Sequence, residues 1–249
     1  MQSASLVMDS YSDMEKAQIA QLLNEETAQS ARKIIVLDDD PTGVQTVHDV
    51  HVYTDWSVES IRRGFAEENA LFFILTNSRG FTEAQTRAAH TEIAERVSQV
   101  AAECRKPYMI ISRSDSTLRG HFPLETQVLR DTICKESGGK ILIDGEILCP
   151  YFKEGGRFTL GDVHYVKYGE ELIPAADTEF AKDETFGYHA SNLAEYIEEK
   201  TGGAFRAESV TSISLQMLRA IDIDGITKKL LQVRDFGKII VNATCDTDV

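Results

Sequence analysis

IIVLDDDPTG, Ile34 to Gly43, reads as a four-residue apolar strand running into three consecutive carboxylates and a Pro-Thr-Gly turn. In open α/β sheets ligands bind beyond the carboxyl ends of the strands, so this stretch places a parallel strand and a candidate site together. Asp38, Asp39 and Asp40 cannot all be buried without partners, because neighbouring like charges raise one another's pKa. The same arrangement recurs downstream. LFFILTNSRGF, Leu71 to Phe81, ends a buried strand in Thr76, Asn77, Ser78 and Arg79. YMIISRSDSTLRGHF, Tyr108 to Phe122, ends another in a string of arginines, hydroxyls and one Asp.

Outward from these three strands, His51–Tyr53, Ile141–Asp144 and Lys238–Val241 are further short apolar runs that predict strands. Between them lie helical patterns. After Phe81, Thr82 and Gln85 form a capping box, and Ala89, Ile93, Val97, Val100 and Cys104 recur at helical spacing. After His121, Pro123 precedes a face of Leu124, Val128 and Leu129. Strands alternating with amphipathic helices predict an α/β fold of three layers, a mostly parallel sheet with helices on both faces. Residues 145–190, rich in Gly, Pro, Tyr and charge, break the rhythm as an irregular β-rich excursion. Residues 1–32 read as a polar leader with one helix, capped by Ser12 and Glu15 and striped by Ile19, Leu22 and Leu23. The division is therefore a leader, 1–32, and an α/β domain, 33–249.

Acidic residues outnumber basic ones 40 to 26 in the 249-residue chain, a formal charge of -14. Such a surface repels phosphate backbones and anionic lipid, which excludes nucleic acid and membranes as expected partners. Any anion site needs its own cluster of arginines or N–H donors. The four cysteines, Cys104, Cys134, Cys149 and Cys245, form no CxxC pair. No zinc site is expected, and a reduced, cytoplasmic protein is the simplest reading. No stretch approaches the roughly 18 apolar residues of a membrane span.

The third strand end carries the clearest chemistry. Arg113, Asp115, Ser116, Thr117, Arg119 and Gly120 lead into a helix, and two arginines beside hydroxyls and N–H groups at a helix start form an anion pocket. Arg157, after Gly155-Gly156, could add a cation. His164, between Val163 and Tyr165, reads as a packed residue in preference to an acid–base group. No metal ligand set is read from the sequence. A phosphate loop is missing too: Gly138-Gly139-Lys140 lacks the following Ser or Thr and precedes a strand.

Together these segments resemble the four-carbon acid-sugar kinase family. Asp39-Asp40-Pro41-Thr42-Gly43 is similar to its Asp-Asp-x-Thr-Gly signature. Arg113-Ser114-Asp115-Ser116-Thr117-Leu118-Arg119-Gly120 is similar to its Lys-x-Asp-Ser-Thr-Leu-Arg-Gly signature. Cys149 to Val166 resembles its Pro-Ala-Phe-Pro-x-x-Gly-Arg segment and the hairpin that follows, and Thr178-Glu179-Phe180-Ala181 matches a further stretch. The chain departs from the pattern at Arg113, where Lys is common, and at Asp38, where Ala is usual. Tyr151 and Lys153 likewise stand for Ala and Pro.

The resemblance implies the N-terminal, sugar-acid-binding domain of a two-domain kinase, whose C-terminal domain binds ATP and Mg²⁺. This chain holds the first, so ATP and Mg²⁺ are expected mainly on a nucleotide-binding domain outside it, and alone it is expected to be inactive. The substrate would be a four-carbon sugar acid, a threonate, erythronate or 3-oxo-tetronate; a homodimer is also allowed. Arg113, Arg119 and the N–H groups around Ser116–Thr117 would hold the carboxylate. Asp39 and Asp40 would take the hydroxyls, with Asp40 orienting or deprotonating the attacking one. Asp115, Gly120, Thr42, Gly43, Asn77, Arg79 and Arg157 complete the candidate contacts. Two rivals stand. Asp38-x-Asp40-x-Thr42 also fits a haloacid-dehalogenase-like, Mg²⁺-dependent phosphatase with Asp38 as nucleophile. A non-catalytic sugar-acid-binding module is the other.

Overall fold

The computed structural model describes residues 2–3 and 11–249. They divide into two compact units within the stretch read from sequence as leader plus one domain. A parallel unit holds Gln29–Asp115 and Gly120–Leu142. A mixed unit holds Met1–Ala28, Ser116–Arg119 and Ile143–Val249. The elements in chain order are β1 (Gln2–Ser3), α1 (Asp13–Gln29), β2 (Lys33–Asp38), β3 (Val52–Tyr53), α2 (Val58–Ala66), β4 (Leu71–Leu75), α3 (Glu83–Cys104), β5 (Tyr108–Arg113) and α4 (Leu124–Glu136). Then follow β6 (Gly145–Leu148), β7 (Arg157–Leu160), β8 (Val163–Tyr168), β9 (Glu171–Pro174), α5 (Leu193–Lys200), β10 (Thr211–Ile213), α6 (Leu215–Arg219), α7 (Ile223–Leu230) and β11 (Gly237–Val241).

In the parallel unit the sheet order is β3-β4-β2-β5, every pair parallel. Val, Ile, Leu and Phe fill β2 and β4, and Ile35, Leu37, Phe72 and Ile74 are buried. The helices meet one face. Phe65 of α2 packs edge-on against Phe72 and Tyr108, Ser98 of α3 bonds Tyr108, and Glu125 of α4 bonds Ser112. The opposite face, with Val36 and Phe73, carries no helix of this unit, and on β5 its Met109 and Ile111 are exposed. The reason is topological. The β3-α2-β4 and β4-α3-β5 crossovers step across the sheet in the same direction, and right-handed connections then place both helices on the same side.

The mixed unit contains a parallel sheet, β10-β11-β6, and an antiparallel one, β1-β9-β8-β7. Helices do flank both faces of this parallel sheet. Leu218, Ile226 and Leu230 pack on Ile213 and Ile239. On the other face α5 approaches, where the charge of Glu146 reaches Tyr196. The β-rich excursion is the meander β7–β8–β9, more regular than the sequence suggests. Gly161 and Asp162, with φ of 59° and 64°, supply the two left-handed residues of its first tight turn.

Two expectations need correction. The strand read at Ile141–Asp144 forms instead at Gly145–Leu148, and Ile141 and Leu142 are exposed. The register is fixed where Glu146 sits opposite the buried Lys238 and pairs with its ammonium, a match that the more apolar run cannot offer. In α1, the Ser12–Glu15 capping box forms, yet the helix buries no side chain, so its Ile19, Leu22 and Leu23 stripe is not a core face.

Candidate functional site

Charge gathers at the carboxyl ends of β2, β4 and β5 in the parallel unit. Asp39 is 3% exposed. It accepts from Arg79 Nη2 at 2.6 Å, Arg79 Nε at 3.2 Å and Ser114 Oγ at 2.7 Å. Burial raises its pKa, and the Arg79 and Ser114 hydrogen bonds pull it back. Arg79 also reaches Asp40 with Nη1 at 3.0 Å. Asp40 further accepts from the Thr42 N–H at 2.8 Å and from the Thr42 hydroxyl. That hydroxyl above all holds its pKa below the ordinary carboxylate value. Asp40 keeps solvent access, as the more exposed of these two carboxylates.

Asp38 differs from both. It is 1% exposed, and among the described residues no side-chain donor bonds its oxygens, while the Asp40 N–H helps to hold the charge. Arg113 Nη1 lies 3.6 Å away. Burial pushes the Asp38 carboxyl up to about 6, against the opposing pull of Arg113. The carboxyl lies against Gly43, where any Cβ would collide with it, so the Thr42-Gly43 turn has no room for a side chain.

The loop after β4, whose Thr76 and Ser78 the sequence reading singled out, is held from below by Glu125 and His90, which it passed over. Glu125 is buried and accepts from Ser78 Oγ at 2.7 Å and Ser112 Oγ at 2.9 Å, while Thr76 donates to Ser78 at 3.0 Å. His90 stands 3.6 Å from the same carboxylate. Nothing in the spacing of these five residues announces the network, since they come from four separate elements and loops. Above it, Asn77 sits in the left-handed region at φ 54° with its side chain exposed. Asp115 contributes its charge to Arg79. Gly120 is buried beside Ser114 and Asp39.

Ser116–Arg119 belongs to the mixed unit and is pinned there by three carbonyl contacts. His164 Nε2 donates to the Ser116 carbonyl at 2.7 Å, Tyr188 to Thr117 at 2.9 Å and Tyr196 to Leu118 at 3.2 Å. His164 is fully buried and accepts from Thr159 through Nδ1 at 3.0 Å, so it is a packed residue that orients the string. Arg119 Nε donates to the buried Thr117 hydroxyl at 3.1 Å. Its guanidinium lies 4.8 Å from the centre of the Phe180 ring, and that of Arg157 lies 5.2 Å from the same centre. The string leads into a helix after His121, as expected from sequence, without being part of its first turn. Helix α4 begins only at Leu124, beyond Gly120–Pro123. Among the described residues no group of three or more His, Cys, Asp or Glu is arranged to hold a metal ion. No described helix is long and apolar enough to cross a membrane.

A family model for a sugar-binding N-terminal domain matches residues 34–249. No curated protein matches the chain. Among solved structures, it is similar to a Bordetella bronchiseptica protein with a domain of unknown function, a domain-swapped dimer with bound citrate. That pair is 19% identical with a TM-score of 0.55, covering 86% of this chain and 48% of the other. A Haemophilus influenzae protein of the same family of unknown function is 14% identical, with a TM-score of 0.56 over 86% and 49% of the two chains. A Salmonella typhimurium protein at 14% identity reaches a TM-score of 0.61 over 87% and 49%. These likenesses show the fold, and the chain spans about half the length of each of these three proteins.

Proposed function

The chain belongs to the family of sugar-binding N-terminal domains that residues 34–249 match, and on that premise we propose that it is the substrate-binding half of an ATP-dependent kinase acting on a four-carbon sugar acid. The observation that carries this reading is the pinning of Ser116–Arg119 by three buried side chains. So much fixed structure behind a two-hydroxyl, one-arginine string suits a segment that must present donors to a small anion. The citrate held by the Bordetella bronchiseptica protein is a compact hydroxy acid and supports the same class of ligand.

In this reading Arg119, with Ser116, Thr117 and Arg157, takes the carboxylate. Within the parallel unit, Asp40, Thr42, Asn77 and Arg79 form a polar edge of the kind that bonds hydroxyls. The lowered pKa of Asp40 suits an acceptor that orients a hydroxyl more than a base that removes its proton. Asp39 works through Arg79, whose guanidinium it anchors. Arg113 faces Asp38 and, with Asp115, Gly43 and Gly120, shapes the surroundings of these groups. Phosphoryl transfer depends mainly on positioning and charge stabilisation, so ATP and Mg²⁺ would come with a nucleotide-binding domain outside these residues. The phosphatase alternative fits less well, because its nucleophile would be Asp38, enclosed beneath Gly43.

A calorimetric screen of threonate, erythronate and 3-oxo-tetronate stereoisomers tests the proposal. One of them should bind with micromolar to millimolar affinity. If none binds while unrelated neutral sugars do, the sugar-acid reading is wrong.

A further inference from the structure

Asp246 is exposed, yet it is the meeting point of the two residues that flank Phe152. Tyr151 donates its hydroxyl to Asp246 Oδ1 at 2.8 Å, and Lys153 Nζ donates to Oδ2 at 2.8 Å. All four residues belong to the mixed unit. An exposed ion pair contributes little to stability. What it can do is order the segment it grips, and that segment leads to Arg157.

The path runs through the turn between β6 and β7. Phe152 and Arg157 bond each other twice along the main chain. The Phe152 N–H donates to the Arg157 carbonyl at 3.0 Å, and the Arg157 N–H donates to the Phe152 carbonyl at 2.8 Å. Inside this closed turn the Gly156 N–H donates to the Lys153 carbonyl at 2.9 Å. The Phe152 ring lies so close to Gly155 that a Cβ there would collide with it. The Gly155 carbonyl in turn accepts from Arg157 Nη1, and Arg157 Nε is buried. Pairing with Val166 fixes the Arg157 backbone in the sheet, but the direction of its guanidinium is set by this turn.

The anchor itself is firm. Buried Asp248 accepts from the Thr244 N–H at 2.8 Å, the Cys245 N–H at 3.0 Å and the Tyr11 hydroxyl at 3.0 Å, which holds the loop after β11 on which Asp246 sits. An antiparallel bridge between Thr159 and Ala243 ties the start of the same loop to β7.

We infer that Asp246 is a positioning residue for Arg157, acting through Tyr151, Lys153 and the Phe152–Arg157 turn to fix where the guanidinium points. This deepens the proposed function and rests on it only for the ligand that Arg157 meets.

The test has two readouts on the full chain. By NMR, Asp246→Ala should speed hydrogen exchange about tenfold at the Phe152, Gly156 and Arg157 amides and at Arg157 Nε–H, while Ile239 and Ile240 of β11 keep theirs. By calorimetry with erythronate, Asp246→Ala should bind about fivefold more weakly at an unchanged melting temperature, and should cost nothing further when added to Arg157→Ala. Asp246→Asn keeps an acceptor for Tyr151 and should stay within about twofold of the parent. If Asp246→Ala fails to fold, the double variant Tyr151→Phe, Lys153→Met removes the same contacts from the other side and should give the same pattern. Unchanged exchange would overturn the inference. So would erythronate binding that ignores Asp246, or a loss that adds in full to that of Arg157→Ala. Faster exchange in a protein whose parent binds no erythronate would uphold the Asp246 linkage and count against the proposed function alone.

Discussion

In the parallel unit, Arg79 is committed to Asp39 and Asp40 by three hydrogen bonds; in the mixed unit, Arg119 and Arg157 lean on a phenylalanine. The two arrangements hold a guanidinium in place by opposite means. An ion pair neutralises the arginine and occupies three of its five N–H groups, so the group is tied to the scaffold. A ring contact fixes the plane of the guanidinium and does not itself neutralise its charge. The comparison predicts that Arg79 matters chiefly for stability and Arg119 and Arg157 chiefly for binding.

Removing Arg79 should give the largest effect on stability. Arg79→Ala leaves Asp39 buried and without its cation, and should cost about 3 kcal/mol in urea denaturation. A loss below about 1 kcal/mol would erase the contrast, because it would mean that Asp39 does not depend on its partner.

Asp38 sharpens the comparison, since no side-chain hydrogen bond compensates this buried carboxylate. Its folded-state value of about 6 lies above the ordinary aspartate value of 3.8. The folded protein therefore holds the proton more tightly than the unfolded chain. Stability from this group is fully present below the unfolded value and is lost as pH rises toward the folded one. Asp38→Asn removes that loss. The stability of the Asn variant relative to the parent should grow by about 2 kcal/mol between pH 4 and pH 6 and level off above. Parallel pH profiles for the two proteins would contradict the burial argument.

The smallest effect is expected at Ser12. Its capping box is worth about 1 kcal/mol to a helix in isolation, but α1 buries no side chain. Ser12→Ala should fray the helix, read by hydrogen exchange, and shift the global unfolding midpoint by less than about 0.5 kcal/mol.

Much of this architecture was legible in the residues. β2, β4, β5 and β11 coincide with apolar runs flanked by turn residues, and the Thr82–Gln85 box marks the start of α3. The acidic turn and the Arg-rich string were readable because strand ends in such sheets carry polar groups for a reason. What escaped was whatever depends on partners distant in sequence. The β6 register rests on Lys238, which follows Glu146 by 92 positions. Tyr188 and Tyr196 reach the string from more than 70 residues downstream. The exposed stripe of α1 has the right period and no surface to bury it, a fact that periodicity alone does not carry.

Calorimetry with the best-bound four-carbon acid, comparing the parent with Arg119→Ala, is the most direct test of the account. The Arg119→Ala variant should keep the parent's melting temperature and bind the acid at least about tenfold more weakly. Equal affinity in the two proteins would show that the pinned string does not grip the anion, and the assignment of this domain to a sugar acid's carboxylate would fall.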